Sequence, residues 1–113
     1  SSLMLLSTLL LVGNELSLAL PHHVNLLLPL DEHALGTQHI ELSYLLDDEL
    51  ILHSRMAYPE GAPRRLHHRP ELPPGPYTLE VRLFGHDGDL RLLWARFSCP
   101  SEGQIRLRLS PER

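Results

Sequence analysis

The sequence predicts an all-β fold, an antiparallel sandwich of seven to nine short strands. Three observations lead there. Apolar residues recur with period two, as in Tyr77, Leu79, Val81 and Leu83 against Thr78, Glu80 and Arg82. Successive side chains of a strand point to opposite faces, so this is the pattern of a half-buried strand. Turn signals rich in Gly, Pro and Asp separate the periodic stretches at short intervals. No window carries an apolar helical stripe with caps at its ends.

The elements follow in order. Leu3 to Val12 is an apolar run of signal-peptide length, broken by Asn14 and Glu15 before it could span a bilayer. The same region, LLLVGNELSLAL, also parses as two strands around Gly13-Asn14. Residues 1–13 are thus either a first strand or the remnant of an export signal, and residues 14–113 form a single β-sandwich domain. The signal reading places the protein in the periplasm or outside the cell; the strand reading leaves it cytoplasmic. No membrane span is expected in the mature domain.

Leu16, Leu18 and Leu20 alternate up to Pro21, and Val24 to Leu28 reads as a strand buried on both faces. Asp31 to Gln38 is a polar loop. Residues 39–57 read as a hairpin turning at Asp47-Asp48-Glu49, with Ile40, Leu42, Tyr44, Leu46, Leu50, Leu52 and Met56 on the apolar face. YPEGAPRR (58–65) is a loop, and Leu66 to His68 a short edge strand bounded by Pro70. Pro73-Pro74-Gly75-Pro76 excludes helix and central strand. A strand over 77–84 then turns at Gly85 to Gly88. Leu90 to Phe97 returns with Trp94 half buried. After a turn at Cys99 to Gly103, Ile105, Leu107 and Leu109 alternate with Gln104, Arg106 and Arg108.

Composition bounds the function. A chain of 113 residues, 42% hydrophobic, can bury one core without disulfides or metal. A net charge of −4 and a pI near 6.0 argue against a nucleic-acid binder. All ten basic residues are Arg. The single cysteine, Cys99, forbids an intramolecular disulfide and reads as a small buried hydrophobe at a strand end.

Eight histidines are the one conspicuous excess. Neutral imidazoles bind copper, zinc or nickel, and strand pairing could bring His39, His53 and His67 together. The adjacent pairs His22-His23 and His67-His68 point to opposite faces of a strand and do not chelate one ion. Asp87 and Asp89 match part of a calcium loop, but its other ligands are absent. No phosphate loop, G-x-S-x-G elbow or dinucleotide fingerprint occurs. The expectation is therefore a protein that is not an enzyme and carries no cofactor.

The stretch LPPGPYTLEVRLFGHDGD, Leu72 to Leu90 with its flank, resembles bacterial extracytoplasmic immunoglobulin-like and transthyretin-like sandwich modules of the PEGA type. In those a Leu-Pro-x-Gly-x-Tyr corner feeds a strand that ends in a glycine turn. The resemblance implies an immunoglobulin-like or transthyretin-like sandwich acting as a non-catalytic binding or spacer module outside the cytoplasm. It carries over no ligand residues.

The expected function is accessory: binding another protein through a sheet edge or face, a second copy of the chain included. The candidate surface is the basic run Arg64, Arg65, His67, His68 and Arg69, together with Arg82, Arg106 and Arg108 if the strands 77–84 and 104–110 adjoin. Imidazoles titrate near pH 6.5, so acid would add charge to such a surface. The alternative is a histidine-based metal-binding protein using His39, His53 and His67.

Overall fold

A computed structural model describes residues 21–113. Nine strands lie among them: β1 (His22–His23), β2 (Asn25–Pro29), β3 (Thr37–Leu46), β4 (Glu49–Ala57), β5 (Arg65–His68), β6 (Glu71–Leu72), β7 (Gly75–Gly85), β8 (Leu90–Cys99) and β9 (Gln104–Arg106). The only helical element among the described residues is a single 3-10 turn, Asp31–Ala34. Residues 1–13, read above as a strand or signal remnant, and Leu16 to Leu20 lie outside the described residues.

Two layers face each other. One is the four-stranded antiparallel sheet β4-β3-β7-β8, and the other the three-stranded sheet β5-β2-β9; β1 and β6 form a separate two-stranded ribbon. The ladders are antiparallel with one exception, since β9 runs parallel to β2. The all-β architecture is thus as expected, and the parallel pair is an addition to it. A parallel partner needs a long connection, and here β3 to β8 intervene between β2 and β9.

The core lies between the layers. Ile40, Leu42 and Tyr44 of β3 and Tyr77, Leu79, Val81 and Leu83 of β7 point inward, with Leu93, Ala95 and Phe97 of β8. They meet Leu26 and Leu28 of β2, Leu66 of β5 and Leu72 of β6. Fully burying a side chain of this size stabilises the fold by roughly 1.5–3 kcal/mol each before entropy is counted. Aromatic rings bind the strands laterally. Phe97 stacks on Tyr77 at 5.5 Å and meets Tyr44 edge-on at 6.0 Å.

The proline-glycine corner has a local cause. The Tyr77 hydroxyl donates to the Pro73 carbonyl at 2.6 Å, tying the corner to the start of β7. Gly75 sits at φ 147°, and a Cβ there would come within 2.7 Å of Leu46 Cδ1. β7 begins at Gly75, so Pro76 lies inside the strand and not before it. Its missing N–H costs no ladder bond to β3, because the β3–β7 pairing starts only at Tyr77.

The hairpin β3–β4 turns through Asp47 and Asp48, both with positive φ, as a two-residue turn matched to strand twist requires. Its register departs from the simple alternation. Tyr44 faces Leu52 but Leu45 faces Leu50, so Ile51 is an extra residue, a β-bulge. The bulge flips the strand's parity, and Leu50 emerges on the outer face, 55% exposed. The loop before β3 is clamped by Arg91, whose Nη2 donates to the carbonyls of His33 and Leu35 and to Thr37 Oγ1 at 3.0–3.2 Å.

Candidate binding face

The outer face of the three-stranded sheet carries the cations. On β2, Leu26 and Leu28 point into the core, so Asn25, Leu27 and Pro29 point out. Leu27 sits opposite His67 of β5 on one side and Arg106 of β9 on the other, and Pro29 sits opposite Arg65. The Leu107 N–H donates to the Leu27 carbonyl at 2.9 Å, completing the Leu27–Arg106 pair, and Arg108, exposed beyond β9, lines one groove with Arg106. Arg64 and Arg69 are exposed at the two ends of β5.

The result is two rails of basic side chains, Arg65 with His67 and Arg106 with Arg108, flanking the apolar line Leu27–Pro29. The rails are two strand spacings apart, about 9.6 Å. Outward positions on these strands include no carboxylate. Among the described residues, no ion pair involves Arg64, Arg65, Arg69, Arg106 or Arg108. Leu27, at the centre of this face, is buried. Gln104 Nε2 reaches His67 Nδ1 at 3.4 Å from across the sheet. An open groove of about 500 Å³, lined in part by Pro29, Asp31, Glu32, Arg106 and Arg108, continues this face past the end of β2.

Two of the expected surface residues lie elsewhere. Arg82 is on β7, whose neighbours are β3 and β8, whereas β9 pairs with β2 in the opposite layer. The strands 77–84 and 104–110 therefore do not adjoin. The turn after Cys99 takes the chain across to the other layer, which the alternation of residues 104–109 alone does not reveal. Arg82 instead donates from Nε to Glu80 Oε1 at 2.9 Å. His68 faces inward, opposite the fully buried Leu26. Its ring stacks on Tyr44 at 5.6 Å, and its Nδ1 shares a hydrogen bond with the Tyr44 hydroxyl. Burial holds the imidazole of His68 below its ordinary pKa and pushes the Tyr44 phenol up. Of the adjacent pair, only His67 belongs to the basic face.

The proposed metal triad is not assembled. His39 and His53 lie on the outer face of the four-stranded sheet, four residues apart in register, because His53 faces Ser43 and His39 faces Ala57. His67 is on the outer face of the other layer, with the core between them. No group of three or more ligand side chains is placed to hold a metal ion among the described residues.

The outer face of the four-stranded sheet does hold one arrangement that the sequence did not suggest. Ser43 Oγ lies 2.9 Å from His53 Nδ1, His53 Nε2 lies 3.8 Å from Glu41 Oε1, and Arg55 Nε lies 3.4 Å from Glu41 Oε2. The order is that of a nucleophile, a base and an orienting acid. However, β3 is paired on both sides, so its N–H groups are committed to ladders and leave no donors aimed at an oxyanion. Together with Arg82–Glu80 the cluster reads as a cross-strand charge ladder. Its only advance signal was the alternation Glu41, Ser43 opposite His53, Arg55.

Comparison with known proteins finds no matching family model, no matching curated protein and no matching solved structure.

Proposed function

We propose that this domain is a non-catalytic accessory module that binds a protein partner of acidic character through the outer face of β5-β2-β9. One observation carries the reading. A protein of net charge −4 gathers Arg65, His67, Arg106 and Arg108 onto one sheet face, with no carboxylate among the outward positions. Like charges gathered on one face repel one another, Asp31 and Glu32 lie only beyond the end of β2, and an external anionic group would complement the concentration. Arginine suits the task, since its guanidinium takes a carboxylate through two parallel hydrogen bonds. The immunoglobulin-like or transthyretin-like type, and a location in the periplasm or outside the cell, belong to the same proposal. They are supported by the resemblance of the Leu72–Leu90 corner and by the apolar run Leu3 to Val12.

The test is capture from native lysate by the full chain and by its Arg106→Ser/Arg108→Ser variant, with elemental analysis of both baits. A stoichiometric protein retained by the wild type and lost by the variant supports the reading. Equal capture by both removes this face from consideration. Stoichiometric copper, zinc or nickel with no partner overturns the reading in favour of a histidine site.

A further inference from the structure

We infer that the partner enters as an extended peptide strand that adds antiparallel to the outer edge of β5 and carries carboxylates at alternate positions. This rests on the binding-face reading above and specifies its occupant. β5 is the terminal strand of its sheet, bonded to β2 on one side, with no strand on its other side among the described residues. The direction of its backbone groups follows from the ladder. The Val24 N–H donates to the Pro70 carbonyl at 3.0 Å, and the register pairs Leu26 with His68 and Leu28 with Leu66. In an antiparallel ladder, bonded pairs alternate with non-bonded pairs. His68 and Leu66 therefore spend their backbone groups on β2, and Arg65 and His67 direct theirs to the open edge.

The same two residues project their side chains onto the basic face. Backbone and side chain thus select together. A strand added antiparallel would exchange both its hydrogen bonds with Arg65 and His67 through the residues directly opposite them. The side chains of those residues would fall on the basic face, beside Arg65 and His67. Along a strand, same-face side chains repeat every two residues, about 6.6–6.8 Å. An extended peptide with carboxylates at alternate positions has that repeat by construction. Antiparallel addition is favoured because its bonds are the more stable per residue, and edge addition of this kind is a recurrent mode of peptide recognition. Charge complementarity is the argument for an acidic occupant over an apolar one, since the exposed side chains of β5 and its flanks are Arg64, Arg65, His67 and Arg69.

The test uses the full chain and an end-blocked octapeptide of alternating Thr and Glu, followed by fluorescence anisotropy. Three comparison probes share its charge: a block peptide of four Thr then four Glu, the alternating peptide N-methylated at Glu, and the alternating peptide N-methylated at Thr. Methylation at Glu should weaken binding at least tenfold, because those N–H groups face β5, and methylation at Thr should change it less than twofold. The block peptide should bind at least fivefold more weakly, and so should the alternating peptide to an Arg65→Ser chain.

Equal affinity of all four peptides would overturn the inference, since charge alone would then suffice. Tighter binding of a single-stranded oligonucleotide of equal charge would overturn it too. So would failure of every peptide to bind, whether a second copy or residues 1–20 of the chain hold the edge. These failures are distinct from failure of the binding-face reading. Capture from lysate that still depends on Arg106 and Arg108 would leave that reading standing with a different occupant.

Discussion

Tyr44 is fully buried on β3, and its hydroxyl meets Nδ1 of His68 on the opposite layer. A neutral ring with its proton on Nε2 accepts that hydrogen bond, and burial keeps the ring neutral. Replacing Tyr44 by Phe preserves the ring stack and leaves a half-buried ring nitrogen without its partner. The expected cost is about 1–3 kcal/mol in urea unfolding. The sign of the pH effect follows from the same burial. The folded-state pKa of His68 lies below its unfolded value, near 6.5, so the unfolded chain binds the proton more readily. Its contribution is intact above pH 6.5 and diminishes as pH falls below that value toward the folded pKa. A His68→Gln chain should therefore lose less stability than the wild type between pH 7.5 and pH 5. Parallel losses in the two proteins would show that His68 does not titrate as described. Residue type does not distinguish His67 from His68. Only the parity of β5, fixed by Leu66 in the core, sends one ring to solvent and the other to Tyr44.

Faces of individual elements were legible where alternation was uninterrupted. Along β7 the residues Tyr77, Leu79, Val81 and Leu83 are all buried, as their period demands. In β4 the same rule fails at one point, because a bulge cannot be seen in a period of two that it breaks by a single residue. Ile51 is that residue, and it places Leu50 outside and Leu52 toward the core. Leu50→Ser should accordingly change stability by less than about 0.5 kcal/mol, whereas Leu42→Ala, in the fully buried row of β3, should cost about 2–5 kcal/mol. Urea midpoints for the two variants check the assignment. A large loss for Leu50→Ser would mean that the bulge is misplaced. The polar loop Asp31–Gln38 likewise hid a 3-10 turn and the Arg91 clamp. Its determinant lies on β8, more than fifty residues away, where local pattern carries no information about it.

At the scale of the molecule, alternation reports which way a residue faces but not which strand lies beside it. The last strand shows this most plainly. Arg106 and Arg108 are exposed, yet the strand beside Arg106 is β2, with Leu27 opposite it, and not β7 with Glu80 and Arg82. The basic face was half visible for that reason: the run RRLHHR marks one rail, and the second rail comes from a parallel pairing that closes the sheet from the far end of the chain. Attraction between exposed charges is screened by salt. Capture through this face should therefore weaken severalfold between 50 mM and 300 mM salt, as measured by the amount of partner retained. Salt-independent capture would point to an apolar contact instead.

Two oppositely placed variants test the central claim most directly. Arg65→Ser/Arg106→Ser/Arg108→Ser removes the arginines of the three-stranded sheet's outer face, and Arg55→Ser/Arg82→Ser/Arg96→Ser removes the outward strand arginines of the four-stranded sheet. Partner capture from native lysate is compared for both with the wild type, at matched melting temperature. Binding through β5-β2-β9 predicts capture lost by the first variant and retained by the second. Loss by the second with retention by the first would contradict it and move the working surface to the other side of the sandwich.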